Sequence, residues 1–242
     1  MSQSTNNPPL TVVLVHGAFA DSSSWNGVIE RLQSNGVPVV AAANPLRGIS
    51  IDSAYVASVF EQVSGPVLAV GHSYGGAVIS NAATRAQNVV GLVFVAAFAP
   101  DEGEVLGEIT ASSKDSVLGT ALVPHQYPTG SGTGTEFSID PAKARDAFAG
   151  DLTDAQAALI GTIQRPVADL AFGEPSGVPA WKTLPSWAVV ATKDRAAGTD
   201  VVRAHAERAG AEITEVDGSH VIMISQPDVV TGVIKAAIAK LS

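Results

Sequence analysis

The chain has no cysteine among its 242 residues. That excludes a disulfide framework, a thiolate metal site and a cysteine nucleophile. It fits a reducing compartment, and the expected localisation is cytoplasmic. Charge is also scarce: Asp, Glu, Lys and Arg make up 15% of the residues, against a usual ~25%. Positive charge is scarcest, with 14 Lys and Arg against 23 Asp and Glu and a net charge of −9. Such a balance repels phosphate backbones and argues against a nucleic-acid partner. Apolar runs such as VVGLVFVAAFAP at 89–100 fall short of the about 20 residues that span a bilayer, so no membrane span is expected. The opening MSQSTNNPPL is polar and lacks the basic and apolar regions of a signal peptide. What is present is a 46% hydrophobic chain, which excludes disorder and supplies a sizeable core.

Apolar, β-branched runs at 12–15, 37–41, 67–70 and 92–96 read as buried parallel strands. Between them, 24–33 and 53–63 carry helical spacing, with Trp25, Val28, Ile29 and Leu32 on one face of the first. Such alternation predicts a parallel sheet with helices on both faces, an α/β fold. From about Pro100 to Pro185 the rhythm breaks, and no clear strand run is visible. The stretch PTGSGTG at 128–134 has loop composition. Segments 140–149 and 153–164 read as short helices, the second opened by a Thr153/Gln156 capping box. The alternation resumes with a strand at 186–192, a helix at 199–209, a strand at 213–216 and a last helix at 226–241. We read residues 1–242 as one domain with a helical cap inserted at approximately 100–185.

The strand ending at Val70 runs into Gly71-His72-Ser73-Tyr74-Gly75, and a helical pattern follows at once. GxSxG between strand and helix is the sharp turn that exposes a nucleophilic serine. Small residues at 71 and 75 let the backbone double back there. A serine needs a base, and five histidines are available. His220 follows the last strand, and loops after parallel strands gather at one sheet edge, so His220 and Ser73 are expected there together. His16 ends a strand and suits a structural role. The base needs an acid to fix its tautomer. Asp194, after the strand SWAVVAT, is favoured over Asp101, Glu102 and Asp217, which read as solvated loop charges. The developing oxyanion needs N–H donors. Tyr74 supplies one, and Ala18 or Phe19, in the turn that Gly17 allows, supplies the other.

LVHGAFADSSSW, GHSYGG, ATKDR and DGSHVIMISQP together resemble the α/β-hydrolase superfamily over nearly the whole chain. The likeness is to its cap-bearing branch of small bacterial esterases, plant methyl-salicylate and methyl-jasmonate esterases, and hydroxynitrile lyases. It implies a mostly parallel eight-stranded sheet under a helical cap. It further implies a catalytic triad of Ser73, Asp194 and His220, with oxyanion N–H groups on Ala18 and Tyr74. The lyases carry a lysine where this chain has Val221 and a threonine where it has Gly17, and both departures favour ester hydrolysis. Cofactor-free haloperoxidases share the same triad.

The expected activity is hydrolysis of a small, largely apolar carboxylic ester through an acyl-enzyme. The alternatives are a ligand receptor on a hydrolase scaffold, a hydroxynitrile lyase and a haloperoxidase-like enzyme. Phe19, Tyr127 and Trp181 are candidates to contact substrate, as are Tyr74 and Phe148, with core packing the competing reading for Phe148 and Trp181. Neither HExxH nor HxxxH is present, and no GxGxxG follows a strand, so neither metal nor cofactor is expected. The expected partner is a small-molecule ester, with a homodimer left open.

Overall fold

The computed structural model describes residues 8–241; the expectation for the polar opening falls largely on residues 1–7, outside them. The chain runs β1 (Thr11–Val15), α1 (Asn26–Ser34), β2 (Val39–Ala42), α2 (Ile49–Glu61), β3 (Val67–His72), α3 (Tyr74–Ala82) and β4 (Val89–Val95). It continues through α4 (Leu106–Ser112), β5 (Leu122–Thr129), β6 (Gly132–Ile139), α5 (Ala144–Ala147), α6 (Asp154–Ile163), β7 (Val167–Ala168) and α7 (Leu170–Gly173). It closes with β8 (Ser186–Ala191), α8 (Thr199–Arg208), β9 (Glu212–Val216), α9 (Ile222–Ser225) and α10 (Pro227–Leu241).

The main sheet has the order β2-β1-β3-β4-β8-β9, and every neighbouring pair is parallel. Helices cover both faces, which is why β3 and β8 are buried at every position and read as unbroken apolar runs. The sheet has six strands among the described residues rather than the eight implied by the resemblance. Ahead of β1 stand Pro8 and Pro9, which have no N–H to give to a ladder. The order also fixes where a site can form. From β1 the chain steps out to β2 and then returns to the other side of β1 as β3. The loops after β1 and β3 therefore diverge, and a crevice opens at their carboxyl ends.

Between β4 and β8 the chain forms the covering layer, and here the all-helical expectation needs correction. Besides α4 to α7 it holds an antiparallel three-stranded sheet, β5-β6-β7. Residues 130 and 131, read from sequence as loop, are the two-residue turn of the β5–β6 hairpin, in which Thr129 pairs with Gly132. The hairpin escapes detection because only one of its strand residues, Ile139, is buried, so it shows no apolar run. Pro124 and Pro128 also sit in β5, which tolerates proline because it is an edge strand. The capping box at the start of α6 forms as read: Thr153 Oγ1 accepts from Gln156 N, and Gln156 Oε1 accepts from Thr153 N.

Candidate active site

Ser73 occupies the turn between β3 and α3 with φ 52° and ψ −124°. A non-glycine residue there costs about 1–3 kcal/mol, and close packing holds it in place. A Cβ on Gly71 would stand 2.5 Å from the Gly75 carbonyl oxygen, and one on Gly75 would stand 2.4 Å from that of Val15. Only glycine lets β3, the turn and α3 approach β1 this closely. Ser73 N donates to Val95 O at 3.2 Å, and Ser73 O accepts from Phe98 N, also at 3.2 Å. These bonds tie the turn to β4 and its following loop.

His220 lies in the loop between β9 and α9, and its Nδ1 stands 2.7 Å from Asp194 Oδ2. A carboxylate can only accept, so Nδ1 is the donor, and in the neutral ring Nε2 is left with the lone pair. The other oxygen, Asp194 Oδ1, accepts from Ala196 N at 2.9 Å and Ala197 N at 3.0 Å. Asp194 N donates to Thr199 Oγ1, whose hydroxyl in turn donates to Ala191 O at the end of β8. The acid is therefore held from both its backbone and its side chain. Asp101 and Asp217, the competing acids, instead pair with Lys182 and Lys193.

His72 ties the base to the elbow. Its ring centroid is 4.7 Å from that of His220, and its Nε2–H donates to the His220 carbonyl oxygen at 3.0 Å. Burial, reinforced by the neighbouring His220, holds its pKa well below the ordinary histidine value, so it is neutral. Sequence reasoning passed His72 over as a mere occupant of the elbow motif. His16 is also buried, and its Nδ1 donates to Gly17 O at 3.0 Å, bracing the turn after β1. His205 is buried as well, which lowers its pKa to about 4. Its Nδ1 accepts from Ala99 N. His125 is exposed on β5.

The turn after β1 passes directly against the elbow: a Cβ on Gly17 would be 2.6 Å from Ser73 Cβ. The amides of Ala18 in this turn and of Tyr74 at the first position of α3 donate to no acceptor among the described residues. Two free N–H groups beside a serine, one at a helix N-terminus, form a ready anion site. Phe19 follows with φ 60°.

Tyr74 carries a contact that sequence reasoning did not find. Its hydroxyl donates to Asp52 Oδ2 at 2.8 Å. Asp52 is fully buried in the first turn of α2 and also accepts from Arg47 N at 3.0 and 3.1 Å. Burial raises its pKa, and these hydrogen bonds oppose the rise. Nothing in the segment LRGISIDSAY marks Asp52 as buried, because its partner arrives from α3.

Aromatic rings close over the elbow. Phe148 sits 5.0 Å from the His220 ring and edge-on to Phe19 at 6.2 Å. Phe172 stacks on Phe19 at 6.3 Å and tilts against Tyr74 at 6.4 Å. Beneath them Ser73 is 5% exposed and His220 1%. A cavity of about 290 Å³ adjoins the rings, lined in part by Phe19, Phe148, Leu152, Ile160, Val221 and Met223. Another of about 330 Å³, lined in part by Leu118, Phe137 and Phe172, adjoins them too.

Of the five residues expected to contact substrate, Phe19, Tyr74 and Phe148 lie here, and Tyr127 and Trp181 do not. Tyr127 lies on the hairpin under the Arg47 guanidinium at 4.5 Å. Its position follows from the β5–β6 pairing that sequence reasoning missed. Trp181 is packed into the fold, its Nε1 donating to Pro100 O at 3.2 Å. Neither lines the two cavities beside the elbow.

Among the described residues there is no cluster of His, Asp or Glu able to hold a metal ion, and no helix is long and apolar enough to cross a membrane.

Residues 12–233 match the family described as the alpha/beta hydrolase family. No curated protein sequence matches the chain. Among solved structures, polyneuridine aldehyde esterase superposes with a TM-score of 0.80 at 19% identity, covering 95% of this chain and 100% of its own. An extracellular alpha/beta-hydrolase from a Paenibacillus species, described as sharing homology with tobacco salicylic acid binding protein 2, gives 0.75 at 20% identity, covering 95% of this chain and 99% of its own. Tomato methylketone synthase I in complex with 2-tridecanone gives 0.77 at 18% identity, covering 97% of this chain and 100% of its own. At such identities the likeness establishes the fold alone.

Proposed function

The chain belongs to the alpha/beta hydrolase family, and on that premise we propose that it is a serine hydrolase cleaving a small, largely apolar carboxylic ester. The observation that carries this reading is the serine on a strained strand-to-helix turn, with the ring of His220 held at the same turn by His72 and fixed through Nδ1 by Asp194. His220 Nε2 takes the Ser73 proton as Oγ attacks the ester carbonyl. The tetrahedral oxyanion accepts from the amides of Ala18 and Tyr74. His220 returns the proton to the departing alcohol oxygen, and the acyl group stays on Ser73. Water then enters and gives a proton to His220 Nε2 as its oxygen attacks the acyl carbon; His220 passes that proton to Ser73 Oγ as the ester bond breaks and the acid departs. Asp194 keeps the proton on Nδ1 throughout and stabilises the imidazolium.

Cyanohydrin cleavage is disfavoured by two residues. Val221 offers no charge beside His220, and a side chain at Gly17 would collide with Ser73 in this backbone. A second reading, a ligand-binding protein on the same scaffold, draws on the burial of Ser73 and His220 under the aromatic rings. Turnover separates the two. The esterase reading expects repeated turnover of p-nitrophenyl acetate or butyrate and its near-complete loss in Ser73→Ala. Wild-type activity in that variant would contradict it.

A further inference from the structure

The cavity of about 290 Å³ has two ends in the candidate machinery. Phe19 adjoins the Ala18 amide, and Val221 adjoins His220. The wall beyond Val221 continues with Met223 and Ile224, whereas α3, the helix that follows Ser73, contributes nothing to it. In an acyl transfer the base returns its proton to the departing oxygen, so the alcohol part of an ester lies on the side of the base. Through Val221, the neighbour of His220 in the chain, this cavity reaches that side.

Its chemistry is equally directional. Helix α6 supplies Leu159, Ile160 and Ile163. Leu159 is 58% and Ile163 47% exposed, so they form an apolar lip leading in from solvent. Among the described residues the one ionisable group in the lining is Asp21, whose Oδ1 accepts from Ser23 N and Ser23 Oγ. Among the described residues no cation lines the space, which disfavours an anionic occupant. Phe148, at the C-terminal end of the four-residue helix α5, stands between the cavity and His220.

We propose that this cavity receives the hydrocarbon arm of the alcohol portion of the ester, and that Phe148 is the specificity-determining wall between it and the reacting atoms. The assignment rests on the esterase reading and adds to it which half of the substrate is long and apolar. An alcohol arm bound here places its ester oxygen next to His220 once the Phe148 ring turns aside.

The test is a series of acetates of ethanol, butanol, hexanol and octanol, run beside ethyl esters of acids of matching length. kcat/KM is expected to climb along the alcohol series by up to about fourfold per added methylene, and to climb less along the acid series. Ile160→Trp, which fills the cavity, should flatten the alcohol slope. Phe148→Ala, which opens the wall, should steepen it, so the assignment does not depend on one variant folding. A flat alcohol series in an enzyme that hydrolyses esters overturns the assignment alone, as does a steeper acid series or an alcohol slope unmoved by both variants. Absence of any ester turnover, with Ser73 unreactive towards a fluorophosphonate, overturns the esterase reading and the assignment with it.

Discussion

Replacing Asp194 by Asn tests the polar geometry behind the base. The side chain is fully buried and accepts three hydrogen bonds, one from His220 Nδ1 at 2.7 Å and two from Ala196 N and Ala197 N at 2.9 and 3.0 Å. An asparagine amide has two orientations. With its oxygen towards the two alanine amides it keeps two bonds and turns its NH2 towards His220. With its oxygen towards His220 it sets the NH2 against two backbone N–H donors, at a cost of about 1–3 kcal/mol for each buried donor left unsatisfied. The first orientation wins. It forces His220 Nδ1 to become the acceptor and moves the ring proton to Nε2, where it cannot take the serine proton. Losing the correct tautomer costs roughly 10⁴-fold in kcat, or about 5.4 kcal/mol at 1.36 kcal/mol per decade. The assay is p-nitrophenyl acetate turnover, with urea denaturation to show that the variant is folded. A folded Asp194→Asn enzyme keeping a tenth or more of wild-type kcat would refute the reasoning.

Gly17→Ala puts a Cβ 2.6 Å from Ser73 Cβ and 2.9 Å from the His72 carbonyl oxygen. The turn must shift and carry the Ala18 amide with it. We expect a loss of roughly 10²-fold or more in kcat and of about 1–3 kcal/mol in stability; kinetics and denaturation at the wild-type level would contradict the packing described. Asp52 gives a prediction in pH. Its folded pKa is raised by burial, so its contribution to stability is fully present below the unfolded carboxylate value and is lost as pH rises through the folded one. Asp52→Asn lacks this term. The stability gap between wild type and variant should therefore widen as urea midpoints are measured from about pH 7 down to about pH 4. A gap that narrows on acidification would sink the assignment.

The parallel sheet was legible because its strands are buried on both faces and so stand out as short β-branched runs. The elbow was legible because glycine at 71 and 75 is a steric demand, seen in the close approach of Gly75 to Val15 O. Asp194 and His220 follow from the rule that loops after parallel strands share one edge. The hairpin β5–β6 was not legible, since strands that bury almost no residue fully and contain Pro124, Pro128 and Gly134 carry neither apolar alternation nor turn contrast. Without that hairpin the place of Tyr127 could not be foreseen. The Tyr74–Asp52 bond joins two helices, and the role of His72 depends on a carbonyl 148 positions along the chain. Such long-range polar contacts leave no periodic trace in a single sequence.

The central claim is that Ser73 is an activated nucleophile. The most direct measurement is labelling of the folded protein with a fluorophosphonate, followed by mass-spectrometric mapping of the modified residue. The account predicts one phosphonyl group per chain, on Ser73, formed rapidly in wild type and far more slowly in Asp194→Asn. A folded wild-type protein whose Ser73 remains unmodified, or whose label falls on another residue, would contradict it.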